Sequence, residues 1–236
     1  YNLNDPKDLS AYYTEEELAA MSDEEKSDAQ NQIWRNLCIS DSYEPGSTAK
    51  ALTIATGLEE NEISMDDTYY CDGYEMKGGW RINCHVREGH GLLTLSEALA
   101  ESCNDSLMQI VDKIGAADFA RYQRIFNLGQ KTGIDLPGES SCEGLLYEES
   151  QLNVSELATN SFGQGYNVTM IQQAAAIASL INGGNYYQPH VVKEIRNAGG
   201  AVIETKDPIL VRQTISSETS AEMRQMMVDV VENGTG

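Results

Sequence analysis

Basic residues are scarce in this 236-residue chain: 16 Lys and Arg stand against 37 Asp and Glu, a formal net charge of -21. The cations form no run, which excludes the electrostatic footprint of a nucleic-acid partner. Long apolar stretches are missing too. Nothing approaches the roughly 18 consecutive apolar residues that span a bilayer, and no basic start with an apolar core marks a secretory leader. The opening Tyr1-Asn2-Leu3-Asn4-Asp5-Pro6 reads as the interior of a longer protein, from which any membrane anchor has been removed. The cysteines, at 38, 71, 84, 103 and 142, are odd in number. In a chain too large to need staples, a full disulfide framework is not expected. Internal repeats and low-complexity tracts are absent.

What is present is a 41% hydrophobic content, ordinary for a soluble globular protein, and enough length for one domain with a substantial core. Thr14-Glu15-Glu16-Glu17 and Ser22-Asp23-Glu24-Glu25 open like capped helices, with acids at the positive end of the dipole. They predict a helical surface insertion over 14–32. Pro45-Gly46 then breaks the chain, and helical spacing over 48–55 puts Ser47 at a helix N-terminus. Residues 59–93 read as loop. A short helix is predicted over 95–100, a break over 101–105, and a helix over 106–114 that stops at Gly115. The apolar segment 168–181, closed by Gly183-Gly184, predicts a helix buried nearly all round. Asn197-Ala198-Gly199-Gly200 between two apolar runs predicts a hairpin, and 217–231 a final amphipathic helix. Segregated helices and antiparallel strands argue for an α+β fold.

The chemistry starts at Ser47 and Lys50. A serine hydroxyl is a poor nucleophile until a base takes its proton. On a helix, residues i and i+3 share a face, so Ser-x-x-Lys brings an amine to the hydroxyl. Burial and neighbouring donors can lower a lysine pKa far enough for that amine to act as base. Free backbone N–H groups at the helix start suit a developing oxyanion. Alone, Ser-x-x-Lys recurs by chance. A second element, Ser102-x-Asn104, falls in the break between two helices. Its hydroxyl can relay a proton and its amide can hold a peptide carbonyl, although a turn or cap accounts for such residues equally well.

The two elements belong to a signature, completed by Lys-Thr-Gly, of penicillin-binding proteins and class A β-lactamases. Their surroundings are Tyr43-Glu44-Pro45-Gly46-Ser47-Thr48-Ala49-Lys50, Ala98-Leu99-Ala100-Glu101-Ser102-Cys103-Asn104, Thr132-Gly133-Ile134-Asp135-Leu136-Pro137-Gly138-Glu139 and Ser161-Phe162-Gly163-Gln164-Gly165. In order and spacing, residues 1–236 resemble the transpeptidase domain of class B penicillin-binding proteins. The resemblance implies a penicillin-binding-protein transpeptidase / serine β-lactamase-like fold: an antiparallel sheet flanked by helices, with a mostly helical subdomain. It implies a peptidoglycan D,D-transpeptidase that cross-links stem peptides through a serine acyl-enzyme and is acylated by β-lactams. Ser47 would be the nucleophile, Lys50 its base, Ser102 the proton relay and Asn104 a contact to substrate and lysine. It also implies an extracytoplasmic site held to the cell membrane by a single N-terminal anchor, and a membrane glycosyltransferase partner. The alternatives are a β-lactamase, against which the flanking segments speak, and a β-lactam-binding sensor or non-catalytic cell-wall scaffold.

One departure stands out. Lys131-Thr132-Gly133 belongs to the Thr-Gly-Ile-Asp-Leu-Pro-Gly-Glu loop and follows Ser102 too soon to be the third motif. The family's own Lys-Thr-Gly strand comes after a stretch like Gly234-Thr235-Gly236, where this sequence stops. The transpeptidase domain is therefore expected to continue beyond residue 236.

Cys71-Asp72, Cys84 and His90 form Cys-Asp-x11-Cys-x5-His. Two thiolates, an imidazole and a carboxylate can close a tetrahedral zinc site, which would fold an otherwise irregular segment. A resemblance to a zinc-carrying clostridial subgroup points the same way, with Cys71, Asp72, Cys84 and His90 as ligands and a structural role, since serine chemistry needs no metal. His85 can replace His90, and Cys103 can replace Asp72. A Cys71–Cys84 disulfide, or no joint role at all, are the other readings.

Overall fold

Capping fixes where the first helices begin. In this computed structural model, which describes residues 9–235, the side chains of Thr14 and Ser22 accept from the N–H groups of Glu17 and Glu25, whose carboxylates return to the cap N–H groups. These boxes start α1 (Glu15–Ala20) and α2 (Asp23–Trp34). Ala29 is the only residue of the pair that is buried, and both helices pack chiefly on the turn Leu9–Ala11. The predicted surface insertion is therefore present as an acidic helical arm. The reading of residues 1–6 lies outside the described residues.

After α3 (Leu37–Ser40) and β1 (Ser42–Tyr43), a 3-10 turn, Gly46–Ala49, leads into α4 (Lys50–Glu59). Every α4 residue from Lys50 to Leu58 is buried. The next segment, read as loop, contains β2 (Thr68–Cys71), β3 (Tyr74–Lys77), β4 (Trp80–Asn83) and β5 (Gly91–Thr94). β2 pairs with β5 and β3 with β4, both antiparallel. Strands of four residues, set among Gly and Asp, are too short for a period of two to stand out.

α5 (Leu95–Ala100) and α6 (Asn104–Ile125) follow. Gly115 leaves the helical region at φ +77, where the stop is expected, yet a second helical stretch resumes directly after it. Further along come α7 (Val154–Asn160), β6 (Val168–Thr169), α8 (Met170–Ile181), β7 (Asn185–Tyr187), the hairpin β8 (Glu194–Arg196) and β9 (Val202–Thr205), β10 (Leu210–Gln213) and α9 (Ser217–Asn233). The α+β class holds. Among the described residues the strands pair two by two, as β1–β6, β7–β10, β2–β5, β3–β4 and β8–β9, each antiparallel.

The main core surrounds α4 and joins it to α6, α8 and α9 through residues such as Ile54, Leu107, Ile110, Leu180 and Met223. α8 departs from expectation. Gln172, Gln173, Ala176, Ser179 and Leu180 face inward, whereas Met170 and Ile181 are exposed. An apolar circumference shows that a helix can be buried all round, not that neighbours cover every side. A second, small buried cluster joins Cys71, Cys84, Leu93, Ala98 and Cys103.

Candidate active site and cysteine cluster

The turn before α4 is braced by backbone. Gly46, at φ +56, donates its N–H to Gly163 O at 2.9 Å. A Cβ on Gly163 would meet Gly46 O at 2.1 Å, so only glycine serves there. The Glu44 carboxylate accepts from Gly165 N–H at 2.9 Å. Thr48 Oγ1 donates to Pro45 O at 2.7 Å and accepts from Gln173 Nε2 at 3.3 Å. Ser47 thus stands in a braced 3-10 turn, with the N-terminal end of α4 behind it.

Lys50 opens α4 and is 1% exposed. Its Nζ donates to Ser102 O at 2.5 Å and to Ser102 Oγ at 2.8 Å. Ser102 Oγ in turn lies 3.0 Å from Ser47 Oγ as donor. Three of the four predicted residues therefore form one chain, Lys50–Ser102–Ser47. Ser102 takes φ +52, uncommon for a residue with a Cβ, and this backbone turns both its carbonyl and its hydroxyl onto the amine. Burial lowers the Lys50 pKa to about 8, against an upward pull from Cys103 and Cys84. A hydroxyl donates and accepts, so the chain can pass a proton between Ser47 and a neutral lysine. Asn104, the fourth predicted residue, is half-buried at the first position of α6, two residues from Ser102. A groove of about 360 Å³ opens beside Ser47, with Ala51, Leu99, Ile177, Met227 and Val230 among its walls.

Lys131-Thr132-Gly133 is elsewhere employed. Thr132 N–H and Oγ1 donate to Glu139 Oε1 at 2.5 and 2.6 Å, and Gly133 N–H donates to Glu139 Oε2 at 3.0 Å. Asp135 accepts from the N–H groups of Val191 and Val192 at 2.9 and 3.0 Å. These residues tie their own loop together and anchor the approach to β8.

The cysteine cluster includes Cys103, which follows Ser102 in the chain. Ligand atoms of Cys71, Cys84, His90 and Cys103 all fall within 4.8 Å of one another. His90 Nδ1 is 3.4 Å from Cys71 Sγ and 3.7 Å from Cys84 Sγ, and Cys84 Sγ is 3.9 Å from Cys103 Sγ. Tetrahedral zinc with ordinary bond lengths has edges of about 3.8 Å between sulfurs and about 3.5 Å between sulfur and nitrogen, so the group fits that ion. Asp72, expected as the fourth ligand, is exposed and outside this group; Cys103 takes its place. His85 Nδ1 lies 3.7 Å from Cys84 Sγ, but its residue is exposed. All five cysteines are free thiols, so no Cys71–Cys84 disulfide is formed.

Donors converge on these sulfurs. The Cys103 thiol and the N–H groups of Val86, Asp105 and Asn104 hold Cys84 well below the usual thiol range, against its burial. Sharing with Cys84, then burial, pushes Cys103 up, and burial pushes Cys71 up. The sequence pattern contained Cys103 only as a substitute ligand, because its spacing from Cys84 crosses β5 and α5. Glu44 and Gly163 were legible as motif letters but not as braces, and Gln173 lay unremarked in the helix predicted over 168–181.

A hydroxyl, a buried amine and a second hydroxyl in one hydrogen-bonded chain define the class of active-serine proteins. The sequence pattern described as "Penicillin binding protein transpeptidase domain" matches residues 12–236, and the chain belongs to that family. It is 40% identical over 204 residues to stage V sporulation protein D of Bacillus subtilis, covering 86% of this chain and 31% of that protein. It is 28% identical to the peptidoglycan D,D-transpeptidase MrdA of Acinetobacter baumannii, again covering 31% of the relative. The chain thus spans about a third of the length of these relatives. Among solved structures, the D,D-transpeptidase domain of a peptidoglycan glycosyltransferase from Eggerthella lenta superposes with a TM-score of 0.81 at 25% identity, covering 97% of this chain and 56% of that one. Penicillin binding protein 3 of Mycobacterium tuberculosis, complexed with aztreonam, gives 0.75 at 27% identity, covering 85% and 46%.

Proposed function

We propose that this domain is a serine D,D-transpeptidase acting on peptidoglycan stem peptides. The observation that carries the reading is the Lys50–Ser102–Ser47 chain, with links of 2.8 and 3.0 Å. Neutral Lys50, directly or through Ser102 Oγ, takes the Ser47 proton as Oγ attacks the carbonyl between the terminal D-alanines. The oxygen that gains charge is met by the Ser47 backbone N–H, in the turn that leads into α4. The C–N bond breaks, and the departing D-alanine amine receives the proton by way of Ser102. The amine of a neighbouring stem then attacks the ester, gives its proton back along the same chain, and restores Ser47. Asn104 holds the donor peptide beside the relay.

The domain extends past residue 236 in this reading. A strand bearing Lys-Thr-Gly lies in the apolar groove beside Ser47 and supplies the second oxyanion donor. An N-terminal anchor holds the domain on the outer face of the cell membrane, next to a glycosyltransferase that makes the glycan. The extracytoplasmic site of the substrate supports this, as does the pairing of both activities in the name of the Eggerthella lenta protein.

Cys71, Cys84, His90 and Cys103 hold a structural zinc, as in the clostridial subgroup that the sequence resembles. When bound, the ion supplies a cross-link between the β2–β5 ladder and the N-terminal end of α6. Elemental analysis of protein purified without added metal should give about one zinc per chain; a metal-free protein would remove the ion from this account.

The test of the activity is turnover by the full-length protein of a pentapeptide stem with an acceptor stem present. Release of D-alanine with formation of the cross-linked dimer is expected. D-alanine release without dimer would make it a hydrolase, and acylation without turnover a sensor.

A further inference from the structure

α5 has six residues, too few to hold a helix in water unaided, yet it carries Ser102 just beyond its C-terminal end. α9 fixes it at one end and the two residues that follow α9 fix it at the other. Ser96 Oγ donates to Asp229 Oδ2 at 2.6 Å. At the other end, Thr235 donates twice to Ala100 O, from its N–H at 3.0 Å and from Oγ1 at 3.2 Å. Gly234 lies flat against the same peptide: a Cβ there would meet Ala100 O at 2.4 Å and Ala100 Cα at 2.9 Å. The carbonyls of a last helical turn lack partners within the helix, and here Thr235 satisfies one of them from outside. Two residues on, the chain turns left-handed at Ser102, whose carbonyl and hydroxyl both hold Lys50.

We propose that Thr235, seated by Gly234, is a positioning residue for acyl transfer: it fixes the Ala100 carbonyl, and through it the place of Ser102 between Lys50 and Ser47. The inference rests on reading those three residues as the acyl-transfer chain. Thr235 acts on α5 and not on the reacting atoms. Because it also borders the groove beside Ser47, direct contact with the ligand is the competing role.

The test uses the full-length protein and benzylpenicillin. Rapid-quench mass spectrometry separates the dissociation constant of the reversible complex from the rate constant of acylation, for wild type, Thr235→Val and Thr235→Ser. Small displacements of a catalytic group cost large factors in rate; Thr235→Val should lower the acylation rate constant about ten-fold, with the dissociation constant and melting temperature unchanged. Thr235→Ser keeps the hydroxyl and should recover the wild-type rate. An unchanged rate in Thr235→Val overturns the inference, as does weaker binding at an unchanged rate, which would make Thr235 a ligand contact. A fall in melting temperature that tracks the lost rate, without recovery in Thr235→Ser, would make it a general support. Absence of any adduct on wild type would overturn the reading of Ser47 itself; an acylating wild type with an indifferent Thr235→Val overturns only the positioning role.

Discussion

Lys50 is the residue on which the proposed chemistry turns. Its folded pKa is lowered from 10.5 to about 8, first by burial. Below about pH 8 the amine is charged in both folded and unfolded chains, and the folded protein bears the full cost of burying that charge. Between about 8 and 10.5 the unfolded chain keeps a proton that the folded one has released, so the cost fades as pH rises. Acylation of Ser47 is therefore expected to increase with pH through a midpoint near 8, followed by mass spectrometry at fixed penicillin concentration. Lys50→Met should slow acylation by a factor on the order of 10² to 10⁴, the usual worth of a general base, and flatten that profile. A profile that stays flat in the wild type would show that the amine is not the base. Ser47, Lys50 and Ser102 were all legible in the sequence, because a chemical motif prescribes them. The partners that set the geometry, Ser102 O on Lys50 and Gln173 on Thr48, were not, since they join residues 52 and 125 positions apart and no short-range spacing encodes them.

Two elements deserve separate tests. Gly163 carries the Ser-Phe-Gly-Gln-Gly turn against the nucleophile turn, and its missing side chain makes room for Gly46 O. Gly163→Ala places a carbon against backbone that cannot rotate away, at a residue with φ +81. The variant is expected to lose on the order of 1–3 kcal/mol of stability, read by chemical denaturation, together with most of its acylation rate. Wild-type acylation in that variant would show that the brace is not needed. The second element is the lobe of β2–β5 and β3–β4. If the proposed zinc is bound, Cys103→Ser should lower metal content and expose residues 68–94 to protease, while Asp72→Ala should do neither, with metal content and cleavage pattern as the readouts. Equal loss in both would restore the carboxylate as ligand. This lobe shows where pattern reading stops. Its ladders are built from four-residue strands, and the fourth member of its cysteine–histidine cluster, Cys103, arrives from beyond a helix. Long or strongly punctuated elements, such as α9, the β8–β9 hairpin and the capped α1 and α2, were plain in the sequence because local chemistry alone fixes them.

At the scale of the whole molecule, two features frame the site. The acidic arm of α1 and α2, EEELAA and DEEKSDAQNQIW, lies apart from the main core, so its seven acids and one lysine, a part of the net charge of -21, bear on the surface and not on the chemistry. Val231, exposed on α9, lines the groove beside Ser47 together with Ile177 of α8 and Val230. The central claim remains that Ser47 is an acylated nucleophile. Its most direct measurement is intact mass followed by peptide mapping of the full-length protein after exposure to benzylpenicillin. The account predicts a single adduct of the mass of the drug, located on Ser47, persisting for many minutes and absent from Ser47→Ala. No adduct, or an adduct that survives in Ser47→Ala, would contradict it.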